Sequence, residues 1–155
     1  MLTNTTGTAQ ESELTLDALF ATPKLTGTTP SRPVWAPNSK HFAFSWNEPG
    51  NPGRGLWVST NDGKELRLFS NTASPSVRDI VWADKNTIVS LRGNKLWQTT
   101  LSQGEDIELM PVEAGAHNLS ISPGSNQVAY ISNGDLWLAD LTSKQNRQLT
   151  EIGIA

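Results

Sequence analysis

The sequence repeats itself every 40 residues. Trp57, Trp97 and Trp137 each end a Leu-Trp pair, and successive pairs (Leu56-Trp57, Leu96-Trp97, Leu136-Trp137) are 40 positions apart. Each pair follows an apolar strand with a turn behind it. Val34-Trp35-Ala36-Pro37-Asn38-Ser39-Lys40 leads into Phe42-Ala43-Phe44. Val81-Trp82-Ala83-Asp84-Lys85-Asn86 leads into Ile88-Val89-Ser90, and Ile121-Ser122-Pro123-Gly124-Ser125 into Val128-Ala129-Tyr130. The third unit shows the internal grammar best. Leu119-Ile121 is apolar on alternate residues, Val128-Ala129-Tyr130-Ile131 and Leu136-Trp137-Leu138-Ala139 are short apolar strands, and Arg147-Thr150 reads as a more polar fourth strand. Asn133-Gly134 is a strong hairpin signal, because both residues tolerate the positive φ of a type I′ turn. A small four-stranded antiparallel sheet cannot bury both faces alone and must stack on copies of itself. Units of about four strands at a period near 40 are the signature of propeller blades.

The expected fold is therefore all-β, a partial β-propeller of three four-stranded antiparallel blades preceded by a short helix. Residues 1–32 read as a flexible lead rich in Thr, Gly, Asn and Gln, with a short helix at 14–21. Thr15 is placed to cap that helix, Asp17 sits in its first turn, and Pro23 ends it. Residues 33–155 form one incomplete propeller domain, with blades at 33–70, 77–112 and 117–151. The first unit is longer than the others, and its surplus lies in one loop, Asn47 to Gly55. Propellers usually close with about four to eight blades, so three leave the first and last faces uncovered. The expectation is a piece of a longer protein, or copies that associate through those faces.

Composition narrows the function classes. The chain has 155 residues, enough for one domain, with 36% apolar content and 12 Gly plus 9 Pro, which suits a loop-rich β protein. A net charge of −3 with no basic cluster argues against nucleic-acid binding. With no cysteine, disulfides and Cys-ligated zinc are excluded, and nothing follows about compartment. No apolar run approaches the length of a membrane span, and the N-terminus lacks the pattern of an intact signal peptide.

Catalytic chemistry has little to work with. No Gly-x-Ser-x-Gly elbow occurs. The two histidines, His41 and His117, read as a polar-face strand position matching Gln127 and as a blade entrance. They make a poor metal set, and no phosphate-cradling pattern appears. Catalytic, cofactor-binding and metal residues are accordingly none, and no cofactor is expected. The recurrent tryptophans are read as packing between blades rather than as a sugar-stacking platform. Trp46 does not recur. It borders the Asn47–Gly55 loop, whose Glu48 and Arg54 are the local candidates for a functional contact, against the plainer reading of a tolerated insertion. Asn4-Thr5-Thr6 and Asn118-Leu119-Ser120 match the glycosylation triplet, a short pattern of low specificity.

The repeat lettering carries a resemblance. Trp35-Ala36-Pro37-Asn38-Ser39-Lys40 before Phe42-Ala43-Phe44, and Ile121-Ser122-Pro123-Gly124-Ser125 before Val128-Ala129-Tyr130, resemble the Trp-Ser-Pro-Asp-Gly-Lys…Ile-Ala-Phe blade motif. That motif occurs in prolyl-oligopeptidase-type serine peptidases and in the periplasmic Tol-system propeller. Leu14-Thr15-Leu16-Asp17-Ala18-Leu19-Phe20 resembles the leader of bacterial dipeptidyl peptidase IV-like enzymes. Gly134-Asp135-Leu136-Trp137-Leu138-Ala139-Asp140-Leu141 with Arg147-Gln148-Leu149-Thr150 resembles a blade end of that family. The resemblance implies a non-catalytic amino-terminal propeller region that restricts peptide access to a hydrolase domain. The parent would be a periplasmic or secreted serine exopeptidase of dipeptidyl-peptidase type. Its partners would be peptide substrate in the full-length protein and the missing blades and hydrolase domain, or a second copy. The alternative is a non-enzymatic periplasmic interaction propeller of the Tol-system type. The family's acidic segment for the substrate amino terminus has no counterpart, since no Glu-Glu pair occurs, and no hydrolase domain is present. No functional residue is carried over.

Overall fold

The computed structural model describes residues 15–20, 27–31, 33–49, 51–70 and 75–151. Helix α1 (Leu16–Phe20) is followed by β1 (Val34–Trp35), β2 (His41–Trp46), β3 (Gly55–Thr60) and β4 (Leu66–Leu68). Next come β5 (Val77–Trp82), β6 (Thr87–Arg92), β7 (Lys95–Thr100) and β8 (Glu105–Pro111). The last four strands are β9 (His117–Ile121), β10 (Gln127–Ser132), β11 (Asp135–Asp140) and β12 (Gln145–Gln148). The strands form three four-stranded sheets in simple up-and-down order, every pairing antiparallel. Of the segment expected to be helical, Leu14 and Ala21 lie outside the described residues.

Local chemistry explains the turns. Asn133 and Gly134 both take positive φ, 53° and 85°, as a type I′ turn requires. Asp140 closes the next turn by accepting from the backbone N–H of Thr142 and Ser143, both at 2.9 Å. Those donors, Ser143 first and then Gln127 and Thr142, hold its carboxyl below the usual range. The fourth strand starts at Gln145 and ends at Gln148, so Leu149 and Thr150 fall outside it.

Strand register gives each blade two distinct faces, because side chains alternate across a pleated strand. In the first sheet, Ala43 pairs with Val58 and Ser45 with Leu56 on one face. Phe44 pairs with Trp57, and Trp57 with Leu68, on the other. The Leu56 face meets the second sheet. Ala36, Ala43, Leu56 and Val58 are buried with Val77, Ile80, Trp82 and Ile88. The next interface repeats the arrangement: Val89, Leu91, Leu96 and Met110 of the second sheet meet Leu119, Val128, Tyr130 and Ala139 of the third. Each internal joint thus lays the Leu face of one blade on the Trp face of the next.

Hydrogen bonds bind the blades as well. Trp82 Nε1 donates to Val34 O across the first joint at 2.8 Å. Leu119 N donates to Asp79 Oδ2 at 2.8 Å, and Ser125 Oγ to Ala83 O at 2.6 Å, across the second. Tyr130 is fully buried there; its hydroxyl donates to Asn146 Oδ1 at 3.2 Å and accepts from Glu113 N at 3.4 Å. Burial, more than the nearby Glu113 charge, pushes this phenol above its ordinary value, against the opposing effect of the Glu113 N–H.

The tryptophan positions refine the sequence reading. Trp137 packs into the second joint, and Arg92 lies over Trp97 at 5.0 Å. Trp57, the equivalent residue of the first blade, faces away from the second. It is buried all the same, with Trp46 at 5.3 Å. Trp82, outside the Leu-Trp series, fills the first joint instead. His41 shares the Leu56 face, and its Nδ1 is buried with no hydrogen-bond partner among the described residues, so a polar-face description does not fit it.

The fully buried Arg92 is the main polar feature of the middle blade. It forms a forked ion pair with Asp106, the Nη2–Oδ1 arm measuring 2.7 Å, and its Nε donates to Ser90 Oγ at 3.0 Å. Thr99 Oγ1 donates to Asp106 Oδ1 at 2.7 Å, so the cluster ties β6, β7 and β8 together. Removing one partner of a buried pair leaves a charge with no compensation.

Two outcomes are expected in urea denaturation. Asp106→Ala lowers the unfolding free energy by about 3–5 kcal/mol; a loss below about 1 kcal/mol would show that Arg92 finds other solvation. Tyr130→Phe costs about 1 kcal/mol near neutral pH. The raised phenol has a second consequence. Its contribution is complete below the unfolded value of 10.0 and is lost as pH rises through the higher folded value. Tyr130→Phe should therefore flatten the alkaline limb of the stability curve, and an unchanged limb would refute that assignment.

Candidate functional site

Up-and-down connection sends all β2–β3-type hairpins and all inter-blade linkers to one end of the stack. The Asn47–Arg54 segment, the residues before β5 and β9, and the first residues of those strands gather there. The strands β1, β5 and β9 lie side by side and line the inner edge.

Two irregularities shape this rim. The β5–β6 register shifts between Val77 and Asp79, and the β9–β10 register shifts opposite the Ala129–Ile131 stretch. Bulges of this kind re-aim side chains locally. Arg78 is the extra residue of β5, exposed between buried Val77 and half-buried Asp79. At the β9 bulge, Asn118 adopts φ of 54°, a left-handed conformation that asparagine tolerates better than most residues. Asp79 spends one oxygen on Leu119 N at 2.8 Å and the other on Ile80 N at 2.9 Å. Arg78 forms no ion pair among the described residues.

Two adjoining cavities open here. One, of about 390 Å3, is lined by Ser31, Pro33, Val34, Ser45, Arg78 and Ile80 with Asp79. The other, of about 160 Å3, shares Arg78 and Asp79 and reaches Ala116, His117 and Asn118. His117 is exposed, and its Nδ1 lies 2.9 Å from Gly115 O. The other histidine, His41, opens β2 at the opposite end of its blade, so the structure does not bring the two together. Among the described residues no three His, Cys, Asp or Glu side chains are grouped as a metal site.

The Asn47–Gly55 loop is more structural than its composition suggests. Arg54 donates through Nε to Ser45 Oγ at 3.1 Å and through Nη2 to Ser45 O at 2.8 Å and Thr29 O at 3.1 Å. Its backbone accepts from Val77 N and donates to Ser76 Oγ, so the residue clamps the start of the second blade. Asn47 Nδ2 donates to Asn51 O at 3.2 Å, and Asn51 N to Glu48 O at 3.0 Å, which closes the loop on itself. Trp46 Nε1 donates to Thr28 O at 3.3 Å. The sequence reading did not single out Arg78, and it met Asn118 only in a glycosylation triplet. The available signal was the spacing of Val77 and Ile80, three apart rather than two, which breaks strand alternation and marks a bulge.

The fold recurs in solved proteins. An oligogalacturonate lyase in complex with manganese is 16% identical with a TM-score of 0.63, the match covering 77% of this chain and 36% of that one. An oligogalacturonate lyase from Vibrio parahaemolyticus is also 16% identical, with a TM-score of 0.61 and the same coverage. TolB from Acinetobacter baumannii is 19% identical with a TM-score of 0.59, covering 72% of this chain and 31% of that one. At such identities the likeness is one of fold, and the chain spans about a third of the length of these structures. No curated protein matches the sequence. A family model does: that of the dipeptidyl peptidase IV (DPP IV) N-terminal region, over residues 61–155, which take in β4 to β12. With more than half its length matched and three blade-like sheets in the expected order, the chain belongs to the dipeptidyl peptidase IV N-terminal region family.

Proposed function

We propose that these blades form part of a propeller that screens peptides on their way to the hydrolase domain of a dipeptidyl peptidase IV-like serine peptidase. The observation that carries the reading is the family match over residues 61–155. The geometry supports it in a specific way. The long Asn47–Arg54 segment, Arg78 and His117 crowd one end of the stack, where they can narrow an opening while leaving bond cleavage to another domain. A scaffold of rigid sheets with variable rim loops suits selection by size. On this reading the parent acts in the periplasm or outside the cell, and no described helix is long and apolar enough to cross a membrane.

The test uses the longer reading frame that carries these blades. Shortening the loop between Asn47 and Arg54, with both ends kept, should raise kcat/KM for long Xaa-Pro peptides severalfold. The value for a chromogenic Gly-Pro substrate should not change. An unchanged ratio between the two substrates would remove the screening role. The 155-residue chain alone should release no chromophore from the Gly-Pro substrate; measured turnover would contradict the division of labour.

A further inference from the structure

The tip of the β10–β11 hairpin places a reactive amide beside an unshielded backbone nitrogen. Asn133-Gly134 is the only Asn-Gly pair in the sequence. Both residues are exposed, and they make up the whole loop between the paired Ser132 and Asp135. Among the described residues neither the Asn133 carboxamide nor the Gly134 N–H has a hydrogen-bond partner. Glycine has no side chain to screen its own nitrogen, and a Cβ added at Gly134 would meet nothing within 4 Å. The matching tip of the second blade reverses the order to Gly93-Asn94, so Asn94 is followed by Lys95, and its carbonyl accepts from Val112 N at 2.9 Å. Other carboxamides are tied down. Asn86 bonds Ser102 at 2.9 Å and 3.0 Å, and Asn146 bonds Tyr130 at 3.2 Å and Pro111 O at 3.0 Å.

We propose that Asn133 is a site of spontaneous deamidation, which turns this hairpin tip into a carboxylate. The Gly134 nitrogen, having lost its proton to hydroxide, attacks Asn133 Cγ. The N–Cγ bond forms, the Cγ–Nδ2 bond breaks, and ammonia leaves. Water then opens the cyclic imide at either carbonyl, giving aspartate or isoaspartate with no change of oxidation state. Exposed loop tips open locally at little cost, which lets the two groups meet. Aspartate keeps the turn, because Asp-Gly supports the type I′ conformation as Asn-Gly does. Isoaspartate breaks it. It routes the main chain through Cβ and adds a methylene to a loop that joins directly paired residues. Ser132, whose Oγ donates to Ala114 O at 2.7 Å, and Asp135, which accepts from Gln148 Nε2 at 3.0 Å, then lose their register. Either product adds one negative charge to a chain of net charge −3, at the end of the stack that holds the Asn47–Arg54 segment and Arg78. The inference does not depend on the peptidase reading, because it rests on the hairpin alone.

The test holds the purified 155-residue chain for days at mildly alkaline pH. Peptide mass spectrometry then locates each conversion, and enzymatic carboxyl methylation scores isoaspartate. Conversion at Asn133 should outpace that at every other asparagine, Asn94 included, and should quicken as pH rises and the nucleophile loses its proton. Asn133→Gln should lose the methylation at this tip, since the longer side chain closes its ring far more slowly. Asn133→Asp reproduces one product and should keep the wild-type urea midpoint. The isoaspartyl form, separated by ion exchange, should unfold at a lower midpoint. An intact Asn133 in the folded chain, after a free peptide spanning 132–138 has converted under the same conditions, would overturn the inference. Equal conversion at Asn94, or methylation undiminished in Asn133→Gln, would do the same. An isoaspartyl form as stable as Asn133→Asp would show that the added methylene leaves the register intact, and the structural consequence would be wrong.

Discussion

A four-stranded sheet with apolar side chains on both faces must be covered twice. Every other feature of this structure follows from how that constraint is met. At both joints one blade offers a Leu-centred face and the next a Trp-centred face, so one joint design serves twice. Small residues at the paired positions, Ala43 in the first blade and Ala139 in the third, let neighbouring sheets approach closely and remain fully buried. The hydrophobic gain is modest per residue and large over a continuous stack.

Directional contacts are placed where apolar packing would leave the rotation between sheets undetermined. Trp82 to Val34, Asp79 to Leu119 and Ser125 to Ala83 each join neighbouring blades near the inner edge. The Arg92–Asp106 pair works differently, within one blade. A buried ion pair is weak support for stability but a strong constraint on geometry, because its forked contacts hold three strands in a single relation. The rim inherits its rigidity from these ties, with Asp79 held by Leu119 N and Arg54 held by Ser45 and Thr29.

The fold was largely legible because its signals are local. The Leu-Trp spacing, the Asn133-Gly134 turn and the strand alternation each report on a few neighbouring residues, and all point to the same architecture. The rim was less legible. Arg54 and Glu48 stood out by charge within an unusual loop, yet Arg54 is occupied by backbone carbonyls that no local pattern reveals. Arg78 and Asn118 acquired their positions from bulges, and a bulge depends on the partner strand as much as on its own sequence. His41 carried the same lesson. Alternation assigned it a face, but only the neighbouring blade determined that this face is covered.

By itself the sequence determined how many strands form, where they turn and which residues share a face, since these depend on side-chain period and backbone preference over short spans. Tertiary structure decided which face meets which. It turned Trp57 away from the second blade while Trp97 and Trp137 face a preceding blade, and it buried Arg92 beside a carboxylate fourteen residues away. Three equivalent Leu-Trp pairs are indistinguishable to any local rule. What separates them is their place in the stack, a property of the assembled sheets and of no single strand.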